Sequence, residues 1–129
     1  MLVGLLAAAV SSATPTSPGD AYSQCIGQSS SNAEFAECGE VYLRRLEVAL
    51  KMAWNKAYGS LDDKQSRSQL LQEQRAWIAF KDKSCRFWTN SSAGREGQAL
   101  HFYGCRGAIV EARISDLNGL YELTHQDEH

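Results

Sequence analysis

The four cysteines, Cys25, Cys38, Cys85 and Cys105, constrain the fold of this chain most strongly. None of them has the close C-x-x-C spacing that is typical of a zinc site, so disulfides are favoured over a metal. Four cysteines allow three pairings, and proximity in the sequence favours Cys25 with Cys38 and Cys85 with Cys105. Each bond would then pin one local connection of the chain.

The N-terminus has the pattern of an export signal. Nine apolar residues from Leu2 to Val10 precede the small residues 11–13, which suit signal-peptidase cleavage. The run is shorter than the roughly 20 apolar residues of a membrane-spanning helix, so stable membrane insertion is not expected. We therefore interpret residues 1–13 as a signal peptide with a truncated n-region. The alternative is an ordinary buried N-terminal helix.

Residues 14–30 are rich in Ser, Thr, Pro and Gly, and we interpret them as a linker and first loop. A helical domain is predicted to follow over residues 31–122. Ser31 and Glu34 have the spacing of a capping box, and the apolar stripe behind them ends at Gly59. Gly39 could break this helix into a short and a long piece.

Two further helices are predicted. One runs from about Asp62 to Trp88, after a start signal at Ser60, and a loop follows over residues 89–97. Residues 123–129 form a tail. The last helix carries an apolar row that steps by three and four residues: Leu100, Tyr103, Gly107, Val110, Ile114, Leu117 and Tyr121. The small residue in that row, Gly107, would let a neighbouring helix approach closely.

These patterns predict an all-α fold. We expect a small disulfide-stapled bundle of about three long helices in antiparallel hairpins, with a short N-terminal helix or loop. The Cys85–Cys105 bond would then pin the second hairpin.

No set of residues typical of catalysis is apparent. The motifs G-x-S-x-G, H-E-x-x-H, G-x-G-x-x-G and the P-loop do not occur in the sequence. His125 and His129 could chelate a metal only in a helical tail, and a frayed end is the simpler interpretation. We therefore predict a protein that is not an enzyme and that has no catalytic residue, metal or cofactor.

Charge is distributed unevenly, although the net charge is only −2 and favours no nucleic-acid partner. All thirteen Lys and Arg residues lie between Arg44 and Arg113, and the flanking segments carry only acids. Glu34, Glu37 and Glu40 would lie on one side of a helix near its N-terminus. They are either a candidate binding surface or acids that the helix dipole favours.

A resemblance to a known family emerges in the second half. Residues 74–78 (QRAWI) and 81–85 (KDKSC) are similar to the Q-R-x-W and D-x-x-C pattern of the lysozyme inhibitor LprI-like N-terminal domain family. The later Cys105, Arg113 and Leu117 resemble its C-terminal part. The resemblance covers about residues 24–121. It implies a helical, disulfide-bonded protein of the bacterial envelope, and some members are described as lysozyme inhibitors.

The motif residues are expected to be structural. Trp77 shares a helix face with Leu70, so we expect it to be buried in the core. Gln74 and Asp82 could tie helices together, with Arg113 as a candidate partner.

The resemblance leads to a functional hypothesis. We expect a periplasmic or secreted protein that binds a lysozyme or another peptidoglycan hydrolase and blocks its cleft. The target could also be a rival bacterium's cell-wall effector, which would make the chain an immunity protein. A module that binds peptidoglycan or an anionic glycan through the basic middle is the alternative.

Overall fold

A computed structural model describes residues 16–91 and 97–125. These residues form four helices, α1 (Pro18–Gly27), α2 (Asn32–Gly59), α3 (Lys64–Ser91) and α4 (Gln98–Thr124), and the described ranges include no strand. The predicted all-α bundle of three long helices is therefore confirmed, and of the two alternatives for its N-terminal element, a short helix or a loop, the structure has the helix. The proposed signal peptide over residues 1–13 lies outside the described residues, as does most of the predicted tail.

The interpretation of residues 14–30 as a linker and loop is corrected by α1. The Ser17 hydroxyl accepts a hydrogen bond from the Asp20 backbone N–H at 3.1 Å, and Pro18 occupies the first helical turn. Both are favourable at a helix start, because the cap satisfies an N–H group and proline has none to lose. At the other end the Ser29 hydroxyl donates to the Cys25 carbonyl at 2.7 Å.

The second helix begins at the predicted capping box. The Ser31 hydroxyl accepts from the Glu34 N–H at 3.1 Å, and the Glu34 carboxylate accepts from the Ser30 N–H at 3.2 Å. The helix then continues unbroken through Gly39. A Cβ atom at Gly39 would lie 2.1 Å from Cγ of Tyr103, so this glycine serves a close contact with α4 rather than a helix end.

The start of α3 is set by Asp63 and not by Ser60. The Asp63 carboxylate accepts from the Ser66 N–H at 2.7 Å, and hydrogen bonds from Ser66 lower the pKa of Asp63. Ser60 instead closes α2, because its hydroxyl donates to the Ala57 carbonyl at 2.7 Å. The helix runs on to Ser91, so the first residues of the predicted 89–97 loop are helical.

The core lies along α4, which packs against both α2 and α3. Helices α2 and α4 run parallel, since Gly39 meets Tyr103 near their starts and Ala53 meets Leu117 near their ends. The antiparallel α3 completes the bundle. The core clusters comprise Tyr42, Leu46 and Val110, and Ala53, Ala57 and Leu117.

Both disulfides have the pairing that sequence proximity favours. Cys25–Cys38 joins α1 to α2 with its Cα atoms 5.8 Å apart, and Cys85–Cys105 joins α3 to α4 at 5.6 Å. Each bond therefore holds one pair of neighbouring helices together. Among the described helices, none has a stretch long and apolar enough to cross a bilayer.

Candidate functional site

A cleft of about 350 Å³ lies between α1 and the N-terminal half of α2. The Cys25–Cys38 disulfide lines it, together with two exposed carboxylates, those of Glu34 and Glu37. Its remaining lining residues are Pro18, Ala21, Tyr22, Ser29, Val41, Tyr42 and Arg45. The cleft thus combines an apolar lining with a short acidic stretch.

A pair of stacked tyrosines lines this cleft. The rings of Tyr22 and Tyr42 are nearly parallel, at 9°, with their centroids 4.4 Å apart. Burial raises the pKa of Tyr22. The pKa of Tyr42 is raised mainly by burial and secondly by a hydrogen bond with Glu111. Both phenols are therefore neutral at physiological pH. The acidic and basic residues among those that line the cleft are Glu34, Glu37 and Arg45.

Helix α1 packs against α2. None of its residues is fully buried. It is held by the Cys25–Cys38 bond, by the Tyr22–Tyr42 stack and by a hydrogen bond from the Arg45 guanidinium to the Thr16 carbonyl at 2.9 Å. The disulfide is therefore the main covalent restraint on the shape of the cleft.

The three candidate acids do not share one environment. Glu34 and Glu37 line the cleft. Glu40 is exposed on the side of α2 that approaches α4. The pKa of Tyr103 on α4 is raised mainly by the burial of its phenol and secondly by the charge of Glu40. A spacing of three residues turns successive side chains around the helix, so the third acid points elsewhere. The binding role of all three remains a prediction.

The motif residues meet around the buried side chain of Arg113. Its Nε donates to Oε1 of Gln74 at 2.9 Å, and its guanidinium carbon lies 5.5 Å from the centre of the Trp77 ring. The guanidinium also forms a two-pronged ion pair with Glu73, in which Nη1 donates to Oε2 at 2.7 Å. The predicted link between Gln74 and Arg113 is therefore present.

Two charged residues that join α3 to α4, Glu73 and Arg106, were missed. Glu73 could have been predicted, because it is an acid directly before the Q-R-x-W segment and one helical turn before Trp77. Asp82 does tie α3 to α4, but through an ion pair with Arg106 at 3.0 Å rather than through Arg113. Arg106 directly follows Cys105, so the disulfide places it opposite Asp82.

Trp77 is half-buried and not enclosed in the core. It packs against the cluster of Tyr42, Leu46 and Val110, while Lys81 and Arg113 lie within cation–π distance of its ring. These contacts place it at the junction of three helices, in a structural position.

Replacing Trp77 with alanine should therefore cost less than a full core truncation. We expect Trp77→Ala to lower the free energy of unfolding by about 2 kcal/mol, below the 3–5 kcal/mol of an enclosed aromatic. Urea denaturation followed by circular dichroism measures this. An unchanged midpoint together with lost target binding would identify Trp77 as a contact residue instead.

The family comparison agrees with this arrangement. The family model of the lysozyme inhibitor LprI matches residues 25–117, a range that begins at the first cysteine and ends at buried Leu117. No curated protein and no solved structure matches the chain. The matched range is well over half of the chain and includes both disulfides and the Gln74–Trp77–Arg113 junction, so the chain belongs to the lysozyme inhibitor LprI family.

Proposed function

We propose that this protein is an exported inhibitor that binds a lysozyme-type peptidoglycan hydrolase in the bacterial envelope and blocks the cleft of that enzyme. The observation that carries the proposal is the family match over residues 25–117. Two disulfides in one small domain support an oxidising compartment outside the cytoplasm. An inhibitor of this kind needs a rigid surface and no chemistry of its own.

The edge formed by α1 and the first turns of α2 is the surface that we assign to the target. Glu34 and Glu37 present negative charge there, and a basic lysozyme would be steered toward it. The Cys25–Cys38 bond holds this edge in place before binding, so less conformational entropy is lost when the target binds. Charge and rigidity therefore coincide on one edge of the bundle.

Neutralising the cleft acids tests this surface. We expect Glu34→Gln with Glu37→Gln to raise the concentration for half-inhibition of a basic lysozyme by about tenfold at low salt. The difference should shrink at high salt, because salt screens exposed charges. The readout is the clearing of suspended cell walls, measured at both salt concentrations. Adding Glu40→Gln should change little more, since that acid lies outside the cleft.

The matched control removes two exposed acids from the far end of α4. Asp116→Asn with Glu122→Gln makes the same change in net charge and should leave inhibition within about twofold of the parent. Thermal unfolding of each variant separates binding from the capping role of Glu34. This edge would be excluded as the contact surface if the cleft variant and the control variant weakened inhibition equally. It would also be excluded if the cleft variant inhibited with the same strength and salt dependence as the parent. A parent chain that inhibits no lysozyme would reject the function itself.

A further inference from the structure

A second surface lies where the last turns of α3 meet the first turns of α4. Two adjoining clefts are found there, with volumes of about 240 and 390 Å³. They share Arg86 and Asn90. The smaller is also lined by Asp82, Thr89, Phe102 and Arg106, and the larger by Lys83 and Phe87.

Two residues that line the smaller cleft each carry a buried polar atom without a hydrogen-bond partner among the described residues. These atoms are the Thr89 hydroxyl oxygen and the Arg106 Nε. Buried polar atoms in proteins are nearly always satisfied by protein, water or ligand. The Nε of Arg106 carries an N–H donor, so the missing partner is an acceptor. Because both atoms are buried, a group in the cleft reaches them only if the Thr89 and Arg106 side chains turn toward it, and it should then present oxygen atoms.

The charge around the clefts favours an anionic acceptor. Their lining includes three cationic side chains, Lys83, Arg86 and Arg106, but one carboxylate, Asp82. That carboxylate is already paired with Arg106 at 3.0 Å. Arginine N–H groups form their strongest hydrogen bonds with carboxylate or phosphate oxygens. The surplus of positive charge is thus suited to such a group.

The size and the lining indicate a ligand larger than an ion. Each cleft far exceeds the roughly 30 Å³ that one water occupies in the liquid. Phe87 is 60 % exposed in the larger cleft, and the Asn90 amide borders both. An aromatic ring beside amide and cationic groups suits a sugar ring, which has an apolar face and polar edges.

We propose that these two clefts form one binding site for an anionic glycan. Arg86 and Arg106 bind its carboxylate or phosphate, the Thr89 hydroxyl takes part in a hydrogen bond with it, and the adjoining sugar packs near Phe87. The site does not depend on the α1–α2 edge. An inhibitor with this site would be retained on the wall polymer that its target attacks.

Co-sedimentation with purified insoluble peptidoglycan tests the site. The variant is Lys83→Gln with Arg86→Gln, which leaves the Arg106–Asp82 ion pair in place. The matched control is Lys64→Gln with Arg75→Gln, two exposed residues of α3 that line neither cleft. We compare untreated walls with peptidoglycan stripped of phosphate polymers, which distinguishes a phosphate from a carboxylate ligand. Chitin serves as a neutral glycan.

We expect the parent to sediment with walls and not with chitin. The half-saturating amount of wall should rise at least about tenfold for the cleft variant and stay within about twofold for the control. Binding that survives phosphate removal assigns the carboxylate, and binding that is lost assigns the phosphate. The proposal is overturned if the parent binds neither wall preparation, binds chitin equally well, or loses as much affinity in the control. Thermal unfolding confirms that both variants are folded.

Discussion

Gly107→Ala should lower the free energy of unfolding by about 3 kcal/mol, although it adds a single methyl group. A Cβ atom at this position would lie 2.1 Å from Cε2 of Tyr42 and 2.5 Å from its hydroxyl oxygen. The Tyr42 ring cannot easily retreat, because it is buried and its other face stacks on Tyr22. The added methyl must therefore separate α2 from α4 or displace α1.

Gly104 gives a matched control on the same helix. Nothing lies within 4 Å of a Cβ atom there, so Gly104→Ala adds helix propensity without a clash. We expect it to stabilise the protein by about 0.5–1 kcal/mol. Denaturant unfolding of the two variants should then shift in opposite directions. Stabilisation by both changes would show that α2 and α4 are not in the close contact described here.

The sequence predicts one half of this contact. Gly107 interrupts a row of large apolar residues, which indicates close approach by a neighbouring helix. The partner Tyr42 depends on the register between α2 and α4, and no local pattern encodes that register. Gly39 shows the same limit, because a glycine within a helical pattern is equally compatible with a break and with a close contact.

The site was predictable to a similar degree. Proximity was enough to pair the cysteines. The motif offered Arg113 as a partner of both Gln74 and Asp82, which holds for Gln74, whereas Asp82 pairs with Arg106. Helix α1 was missed because its segment is short and rich in Ser, Pro and Gly, which is typical of a loop. Its cap, Ser17 followed by Pro18, and the helical spacing of Tyr22 and Cys25 mark it locally. The rotation of side chains along α2 turns Glu40 away from the cleft acids, but that it turns toward α4 is a tertiary property that no local pattern encodes.

Glu73→Ala should cost about 2 kcal/mol of stability, less than the loss of a fully buried partner, because the Glu73 side chain is 56 % exposed. The cost arises at its partner. Arg113 is only 6 % exposed. Without Glu73 its guanidinium keeps the Gln74 hydrogen bond and the Trp77 ring, but it has no other ion-pair partner among the described residues. A buried charge that loses its partner is strongly destabilising, because its desolvation is no longer compensated.

Arg113→Met should be milder than the loss of Glu73, at less than about 1.5 kcal/mol, because it removes the buried charge and keeps an unbranched apolar side chain. Glu73 is then left at a position that water reaches. The double variant Glu73→Ala with Arg113→Met should therefore be more stable than Glu73→Ala alone. Urea unfolding of the two single variants and the double variant measures this order. Two results would contradict this account: a neutral effect of Glu73→Ala, or a double variant that is the least stable of the three. Either would show that Glu73 does not stabilise the charge of Arg113, and that the packing of α3 depends instead on Trp77 and the Cys85–Cys105 bond.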